Sequence, residues 1–268
     1  MECYTLDKKS ILGKINKSED RLLVAGILDK AAQAEKLWKY AYTDFLDPYQ
    51  QKLAERALQS MKCSAWTFDG GYKDAERAVV IFFPGLNPQD DIELVEKPFS
   101  LINVELKTEA NLSHRDYLGA LLGLGIKREK VGDIIVRKES GSIIVLKEVA
   151  DYIIYNLDQV GRVGVAATLG EIENLEVPAV KTKEIKCTVP SLRIDCIVSN
   201  GFGISRSKAM PLFSSERVYL NWEVEKKPSA QVKEGDTVSV RGMGRVIVSE
   251  ISGLTRKGRI SVVLKRLV

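Results

Sequence analysis

Residues 192–215 read LRIDCIVSNGFGISRSKAMPLFSS, two short segments with apolar residues separated by a glycine-containing turn. The pattern predicts a helix-loop-helix, with Arg193 at the first helix start and Arg206 and Lys208 at the second. A helix start already carries partial positive charge, so it repels cations and attracts anions. Basic side chains at both starts therefore indicate that this segment binds an anion.

Basic charge is concentrated around that segment. The formal net charge of the whole chain is +4. From residue 190 onwards the sequence has 14 Lys and Arg against 7 Asp and Glu, whereas the preceding 189 residues have 26 against 29. A net charge of +7 in the last part of the chain predicts that a polyanion binds there. The alternative is a solvated basic face without a partner.

The composition is that of a globular protein. The chain has 268 residues, of which 45% are hydrophobic and 28% are charged, and this length suggests two or three domains. No apolar segment approaches the roughly 18 residues that a membrane-spanning helix needs. The N-terminal sequence MECYTLDKKSILGK lacks the apolar core and cleavage site of a secretory signal. We therefore expect a cytoplasmic protein that makes no contact with a membrane.

The cysteine and histidine content argues against a metal site. Cys3, Cys63, Cys187 and Cys196 form no Cys-x-x-Cys pair, and His114 is the only histidine. Zinc sites need clustered ligands, and scattered cysteines in a cytoplasmic protein stay reduced. We expect neither a metal nor another cofactor.

Residues 1–62 have the pattern of helices. Residues 18–42 begin with a serine cap and acidic residues, and residues 47–61 begin with Asp-Pro, a cap followed by a favourable first helical residue. Apolar residues of the second segment recur at helical spacing. We interpret Trp38, Tyr40 and Tyr42 as packing residues rather than as a platform on which bases stack.

The middle of the chain has a mixed pattern. Two predicted strands are joined by a Gly-Gly turn at 70–71. From residue 99 the predicted order is strand, helix, strand, turn, strand, helix and strand, which is the β-α-β-β-α-β order of ferredoxin-like and RNA-recognition-motif folds. The strands lack the aromatic signature with which recognition motifs stack on RNA. We interpret this segment as structural, with RNA contact as the alternative.

The predicted fold class is α+β with three domains. These are a helical N-terminal segment at 1–72, a ferredoxin-like middle domain at 73–187 and a C-terminal domain at 188–268. In the last domain the helix-loop-helix precedes strands separated by Pro-Ser and Gly-Asp turns, and a final hairpin has TRKGR at its tip.

From Arg193 to Arg241 the sequence has, in order, R-x-D, G, S-R, A, L, R-V, N, P-S, G-D and V-x-V-R. This order closely resembles the S-four RNA-binding domain, an αL-type fold. The resemblance implies that the domain binds structured RNA through the starts of two adjacent helices and the strand that follows. The residues assigned to RNA binding are Arg193, Ser205, Arg206, Ser207, Lys208, Arg217, Asn221, Trp222, Arg241 and Arg245.

The physical chemistry agrees with the resemblance. Paired helix starts offer backbone N–H groups, and Ser205 or Ser207 caps the second helix or bonds a phosphate oxygen. Such contacts recognise the shape and backbone of RNA rather than its bases. Two residues depart from the pattern. Pro211 lies inside the second helix, and its effect on the helix is mild if Ser207 is the cap. Trp222 stands where many such domains have glycine, and we expect it either to stack on a base or to pack within the protein.

Residues 113–134, SHRDYLGALLGLGIKREKVGDI, together with LNW and VRGMGR in the last domain, are similar to the YlmH family of bacterial S-four proteins. The similarity implies a non-catalytic RNA-binding protein, encoded near cell-division genes in many Gram-positive bacteria. Kinship with the S-four heat-shock proteins implies that the partner is ribosomal or transfer RNA on the large ribosomal subunit, in translation quality control of obstructed subunits. We expect the protein to be a monomer.

The segment HRD at 114–116 is the candidate for an enzyme site. A kinase loop needs Asn at position 121, which is Leu, and a pseudouridine synthase needs a leucine before the aspartate. We prefer a helix start, with Ser113 as cap and Asp116 in the first turn. The residues expected to be buried in this helix are Tyr117, Leu118, Leu121 and Leu122. An RNA-modifying enzyme with a site at 114–116, or a cell-division adaptor, is the alternative function.

A second group of basic residues is a further candidate RNA contact. It comprises the helix start at 114, the turn at 126–133 and the tip of the final hairpin, with a solvated turn as the alternative. Its members are His114, Arg115, Lys127, Arg128, Lys130, Arg256, Lys257 and Arg259.

Overall fold

The computed structural model describes residues 2–61, 65–83, 96–178, 182–255 and 258–267, with side chains from residue 8 onwards. The chain forms two compact units, Met1–Pro178 and Ala179–Val268. Helices and antiparallel sheets occur in both, so the predicted α+β class is confirmed.

The first unit opens with helices and a small sheet. In chain order the elements are α1 (Glu2–Gly13), α2 (Ser18–Leu37), β1 (Ala41–Tyr42), α3 (Pro48–Met61), β2 (Ala65–Asp69) and β3 (Val79–Phe83). The sheet order is β1-β3-β2. Helices α2 and α3 confirm the predicted helices, but the serine cap is wrong, because Ser18 is the first residue of α2 and its N-cap is Lys17. Asp47 caps α3, because its Oδ1 accepts a hydrogen bond from the backbone N–H of Gln50 at 2.9 Å.

The aromatic residues after α2 do not pack as expected. Helix α2 ends at Leu37, and the chain then leaves the core and runs along the edge strand β1. Trp38 is 71% exposed, and Tyr40 and Tyr42 are 43% and 37% exposed. The interpretation of these three as packing residues is wrong for Trp38 and only partly right for Tyr40, whose ring meets that of Phe83 edge-on at 5.7 Å.

The next elements form the predicted β-α-β-β-α-β order. They are β4 (Phe99–Leu106), α4 (His114–Gly123), β5 (Val131–Val136), β6 (Ser140–Leu146), α5 (Lys147–Asn156), β7 (Gln159–Val160) and β8 (Val163–Gly170). The antiparallel sheet has the order β5-β6-β4-β8-β7. Tyr117 and Leu121 are buried in α4 as expected and Leu118 is half-buried, but the prediction for Leu122 is wrong because it is 47% exposed.

The two sheets of the first unit share a core. Val79, Ile81 and Phe83 of β3 pack with Phe99 of β4 and Ile144 of β6 in one apolar cluster. The predicted boundary at 72/73 falls between β2 and β3, which pair as a hairpin and so belong together. The division of this unit into two domains stays a prediction.

The second unit is one mixed domain. Its elements are β9 (Thr182–Val189), α6 (Ile194–Phe202), α7 (Arg206–Ser214), β10 (Val218–Leu220), β11 (Glu223–Val224), β12 (Thr237–Val240), β13 (Gly244–Leu254) and β14 (Ile260–Leu267). The antiparallel sheet has the order β11-β10-β12-β13-β14-β9. Strand β9 is absent from the sequence prediction, and the predicted boundary at 187/188 cuts through it.

Helices α6 and α7 cover one face of this sheet. Helix α6 is mostly apolar and buried, and Gly201 lets it approach β13, because a Cβ at this position would lie 2.9 Å from Cγ1 of Val246. Gly203 ends the helix with a left-handed conformation, φ 67°, which turns the chain into α7. The starts of both helices are thereby held on a rigid core.

Candidate nucleic-acid interface

Asp195 brings the two arginines of the helix starts together. Its side chain is 1% exposed and accepts two hydrogen bonds from Arg193, each 3.1 Å, and one from Arg206 at 2.5 Å. The arginine side chains themselves are 36% and 52% exposed. One carboxylate therefore fixes two guanidinium groups that still face solvent.

The electrostatics of this cluster leave it positive. Burial opposes ionisation of the Asp195 carboxyl, but the hydrogen bonds and charges of Arg193 and Arg206 outweigh it, so the pKa of this carboxyl lies below its usual range. The ionised carboxylate cancels one of the two positive charges. Lys208 is exposed on the first turn of α7 and raises the net charge of the group to +2.

The two helix starts differ in their backbone. In α6 the N–H groups of Ile194 and Asp195 donate to the carbonyls of Ala230 and Pro228, at 2.8 and 3.2 Å. These groups are not available to a ligand, so the expectation of two open helix starts is wrong for α6. In α7 the N–H groups of its first two residues donate to no acceptor among the residues that the structure describes.

Ser205 is the cap of α7. Its Oγ accepts a hydrogen bond from the backbone N–H of Lys208 at 3.3 Å and lies 2.9 Å from Oγ of Ser207. Ser207 is therefore the second residue of the helix and not its cap. Pro211 is then the sixth helical residue, so it removes a bond from the helix interior, and the condition under which its effect was expected to be mild is not met.

Arg217 and Asn221 form hydrogen bonds with other groups of the protein. Arg217 donates from Nη2 to the carbonyl of Arg241 at 2.6 Å. Asn221 donates to Asp236 at 2.8 Å and accepts from the backbone N–H of Thr237 at 3.0 Å. The geometry gives both side chains a role in positioning the strands that follow α7.

The turn between β10 and β11 presents Trp222. Asn221 and Trp222 both have left-handed backbones, φ 49° and 68°, the geometry of a two-residue hairpin that favours glycine. The guanidinium of Arg245 lies 5.8 Å from the centre of the half-buried indole ring. The predicted candidates Trp222 and Arg245 therefore lie together.

Tyr219 is a candidate that the sequence analysis missed. Its hydroxyl accepts a hydrogen bond from Arg241 Nη2 at 2.9 Å, and the two side chains line an open cleft of about 520 Å³. The other lining residues are Ser214, Ser215, Glu216 and Val224. The pairing depends on the register of β10 and β12, which the sequence does not reveal.

The helix start at residue 114 is exposed. His114 and Arg115 occupy the first positions of α4, and Ser113 donates its backbone N–H and its hydroxyl to Asp116, each at 2.7 Å. These bonds hold the pKa of the Asp116 carboxyl below its usual range. The expected serine cap is thus present, with Asp116 as its partner.

The basic turn at 126–133 is mostly engaged within the protein. Arg128 donates to the carbonyls of Val131 and Gly132, and burial lowers its pKa to about 10. Lys130 forms ion pairs with Asp44 and Glu148, each at 2.7 Å. Lys127 is exposed.

Arg259 at the final hairpin bonds to the neighbouring strand. Arg259 donates to the hydroxyl and the carbonyl of Thr188, which ties β14 to β9. Arg256 and Lys257 lie outside the described residues.

Comparison with known proteins places the chain in a family. Residues 19–84 match a family model for the N-terminal part of YlmH, and residues 97–174 match one described as "Putative RNA-binding domain in YlmH". The chain is 33% identical over 253 residues to ribosome-associated protein quality control protein P2 of Bacillus subtilis (strain 168). The aligned region covers 93% of this chain and 96% of that relative. The chain belongs to the YlmH family.

A solved structure is also similar to this YlmH-family chain. It is the cell division protein ylmH from Streptococcus pneumoniae, with 20% sequence identity and a TM-score of 0.49. The match covers 61% of this chain and 98% of that chain.

The names of the YlmH models and relative refer to RNA binding and quality control rather than to catalysis. Within the described parts of this YlmH-family chain, no three His, Cys, Asp or Glu side chains are grouped so that they could hold a metal ion. None of the helices there is long and apolar enough to cross a membrane. Cys187 and Cys196 are free thiols, half-buried and buried.

Proposed function

We propose that this chain binds structured RNA without catalysing a reaction, and that the RNA is ribosomal or transfer RNA on the large ribosomal subunit. The task is translation quality control of obstructed subunits. The name of the Bacillus subtilis relative and the description of the family model at 97–174 support this proposal. We further propose that the second unit, Ala179–Val268, is an S-four-type RNA-binding domain and that the protein acts as a monomer in the cytoplasm.

The observation that carries the proposal is the pair of arginines held by Asp195. A guanidinium group has five N–H donors, and Arg206 uses one of them in its bond to Asp195. The Arg206 side chain is 52% exposed, and the backbone N–H groups of Arg206 and Ser207 donate to no acceptor among the described residues. Positive charge together with fixed hydrogen-bond donors is well suited to binding a phosphate group. Because the arginine side chains are already held in place, they lose little conformational entropy when the phosphate binds.

The unit around this cluster favours a polyanion. Ala179–Val268 has 17 Lys and Arg against 8 Asp and Glu, a net charge of +9. Such a field attracts RNA at long range, and the fixed arginines then set where its backbone lies. Because the cluster offers phosphate contacts and few base contacts, it suits recognition of RNA shape.

We assign three kinds of role to the candidate residues. Phosphate contacts come from the helix starts, outer contacts come from the strands and turns, and positioning comes from side chains with internal partners. The phosphate contacts are Arg193, Ser205, Arg206, Ser207 and Lys208. The outer contacts are Trp222, Arg241 and Arg245. The positioning residues are Arg217 and Asn221. His114, Arg115 and Lys127 are a second contact, and Arg128 and Lys130 are left out because of their internal partners.

A salt titration tests the phosphate contacts. The double variant Arg206→Ala with Lys208→Ala should bind large-subunit ribosomal RNA more weakly. In a filter-binding titration, its plot of log affinity against log salt should be flatter by about two units, because each lost phosphate contact removes about one. The matched control, Lys183→Ala with Lys265→Ala, removes the same charge from β9 and β14.

The outcomes separate contact from general charge. An unchanged slope in the helix-start variant contradicts its assignment, and an equal loss in both variants means that the unit binds by net charge alone. Sedimentation with purified large subunits tests the ribosomal partner. The wild-type protein should travel with the subunits and leave them at high salt, and the helix-start variant should leave them at lower salt.

A further inference from the structure

A surface outside the proposed interface exposes aromatic rings. The chain leaves α2 through five consecutive exposed residues, 36–40, and enters the edge strand β1. Trp38 is 71% exposed and Tyr40 and Tyr42 are 43% and 37% exposed, and none of them serves the contacts assigned above. Exposed rings on neighbouring positions offer flat surfaces on which another ring can stack.

The backbone at Trp38 is unfavourable for a tryptophan. Trp38 is the C-cap of α2 with φ 51° and ψ 43°, a left-handed conformation that is usual for glycine. Its N–H and that of Lys39 close the helix on the carbonyls of Glu35 and Ala34. Glycine would make the same bonds without a strained backbone. A tryptophan there gains little from burial, so stability does not account for it.

The same surface is locally basic. Residues 30–42 contain three lysines and one glutamate, although the first unit as a whole has 23 Lys and Arg against 28 Asp and Glu. Lys30 Nζ lies 5.7 Å from the centre of the Tyr42 ring. Lys36 and Lys39 are exposed and form no ion pair with any residue that the structure describes.

We propose that Trp38, Tyr40 and Tyr42, with Lys30, Lys36 and Lys39, form a binding surface for unpaired bases of RNA. Stacked bases and a basic groove are the two components of single-strand binding. Lysine is depleted in protein–protein interfaces, so three lysines in the segment that carries the rings, residues 30–42, favour RNA over a protein partner. The proposal of this surface rests on the proposed function, because it requires that the chain bind RNA. It does not depend on the helix starts of the second unit.

Trp38 itself reports on the contact. The variant Trp66→Phe with Trp222→Phe leaves Trp38 as the source of tryptophan fluorescence. Titration with a short oligouridylate should quench its emission in a saturable way that weakens as salt rises. A duplex RNA of the same length should quench much less, because its bases are already stacked. Circular dichroism of the variant checks that it is folded.

A glycine substitution separates binding from folding. Trp38→Gly should melt at the same or a higher temperature than the parent, because glycine suits the left-handed position. Its affinity for the oligouridylate, measured by anisotropy of a labelled strand, should fall about fivefold or more. The control Tyr155→Ala removes a tyrosine that is 88% exposed on α5 and should leave this affinity unchanged.

The two RNA proposals fail in different ways. Arg206→Ala with Lys208→Ala should weaken binding of ribosomal RNA and leave quenching of Trp38 intact. If no oligonucleotide quenches Trp38 while ribosomal RNA still binds, this surface is not an RNA site and only the present inference is overturned. If a fraction of ribosomal proteins quenches Trp38 and no oligonucleotide does, the surface binds protein rather than RNA, and the present inference is overturned. If neither RNA binds, the proposed function fails as well.

Discussion

At Asp195 one buried carboxylate determines where two arginines lie. A buried charge costs free energy unless it is paired, and here three hydrogen bonds from two partly exposed arginines pair it. The sequence motif R-x-D shows Arg193 and Asp195 two residues apart. It does not show that Asp195 also holds Arg206, because that contact depends on how α6 and α7 pack.

Asp195→Asn tests this positioning role. An amide cannot balance two guanidinium groups, so the free energy of unfolding should fall by about 2 kcal/mol in a urea titration. Affinity for ribosomal RNA should also fall, even though the variant gains a positive charge. The control Glu250→Gln changes an exposed acid of the same unit and should alter neither. Tighter RNA binding by Asp195→Asn would contradict the role.

The pH dependence of the same variant has a defined sign. The pKa of Asp195 is lowered in the folded protein, so its contribution to stability is complete above the unfolded value of about 3.9. That contribution is lost as the pH falls through the folded pKa. Between pH 7 and pH 2 the wild-type protein should therefore lose more stability than Asp195→Asn.

At the scale of elements, local signals predicted most of the fold. Caps, helical spacing and alternation lie within one segment, and they gave α2 to α7 and the β-α-β-β-α-β order. Strand β9 has a short alternating signal, with Ile185, Cys187 and Val189 facing the core, but the first half of TKEIKCTV is polar and the strand was missed. Its partner β14 is distant in the sequence. The left-handed residue at Trp38 was missed because the sequence has no glycine at that position to indicate it.

Helix α7 contains a proline whose removal should stabilise it. With Ser205 as the cap, Pro211 leaves the carbonyl of Ser207 without its helical partner. Pro211→Ala should restore that bond and raise the free energy of unfolding by about 1 kcal/mol, after the greater freedom of the unfolded chain is deducted. Met210→Ala, at an exposed neighbour, should have almost no effect. A lower urea midpoint for Pro211→Ala would show that the helix requires the proline.

At the scale of the whole molecule, charge is divided between the two units. Ala179–Val268 carries +9 and Met1–Pro178 carries −5. The sequence predicted this asymmetry, because the net charge of a segment is the sum of its charged residues and does not depend on how they pack. It did not predict the basic aromatic surface within the acidic unit, since exposure of Trp38 depends on where α2 ends.

Arg77 joins the elements of the first unit. It is 9% exposed and donates to the carbonyls of Phe45 and Val131, at 2.8 and 3.0 Å. Arg77→Met should leave the carbonyl of Phe45 without its side-chain partner and that of Val131 with Arg128 alone, and so lower the stability of this unit by about 2 kcal/mol. In hydrogen exchange, amides of β3 and β5 should exchange faster, while those of β12 to β14 keep their rates.

The matched control for that measurement is Arg115→Met, which changes an exposed arginine of the same unit. Its exchange rates should equal those of the wild-type protein. Faster exchange in β12 to β14 of the Arg77 variant would mean that the two units unfold together.

The pairing of β9 with β14 has a consequence for synthesis of the protein. Thr188 and Arg259, which bond across this pair, are 71 positions apart in the chain. While the intervening segment is being translated, β9 has no strand to pair with, because its partner β14 in the last hairpin has not yet been made. A nascent copy is therefore unable to complete the sheet that supports α6 and α7 until its last strand, β14, has been made.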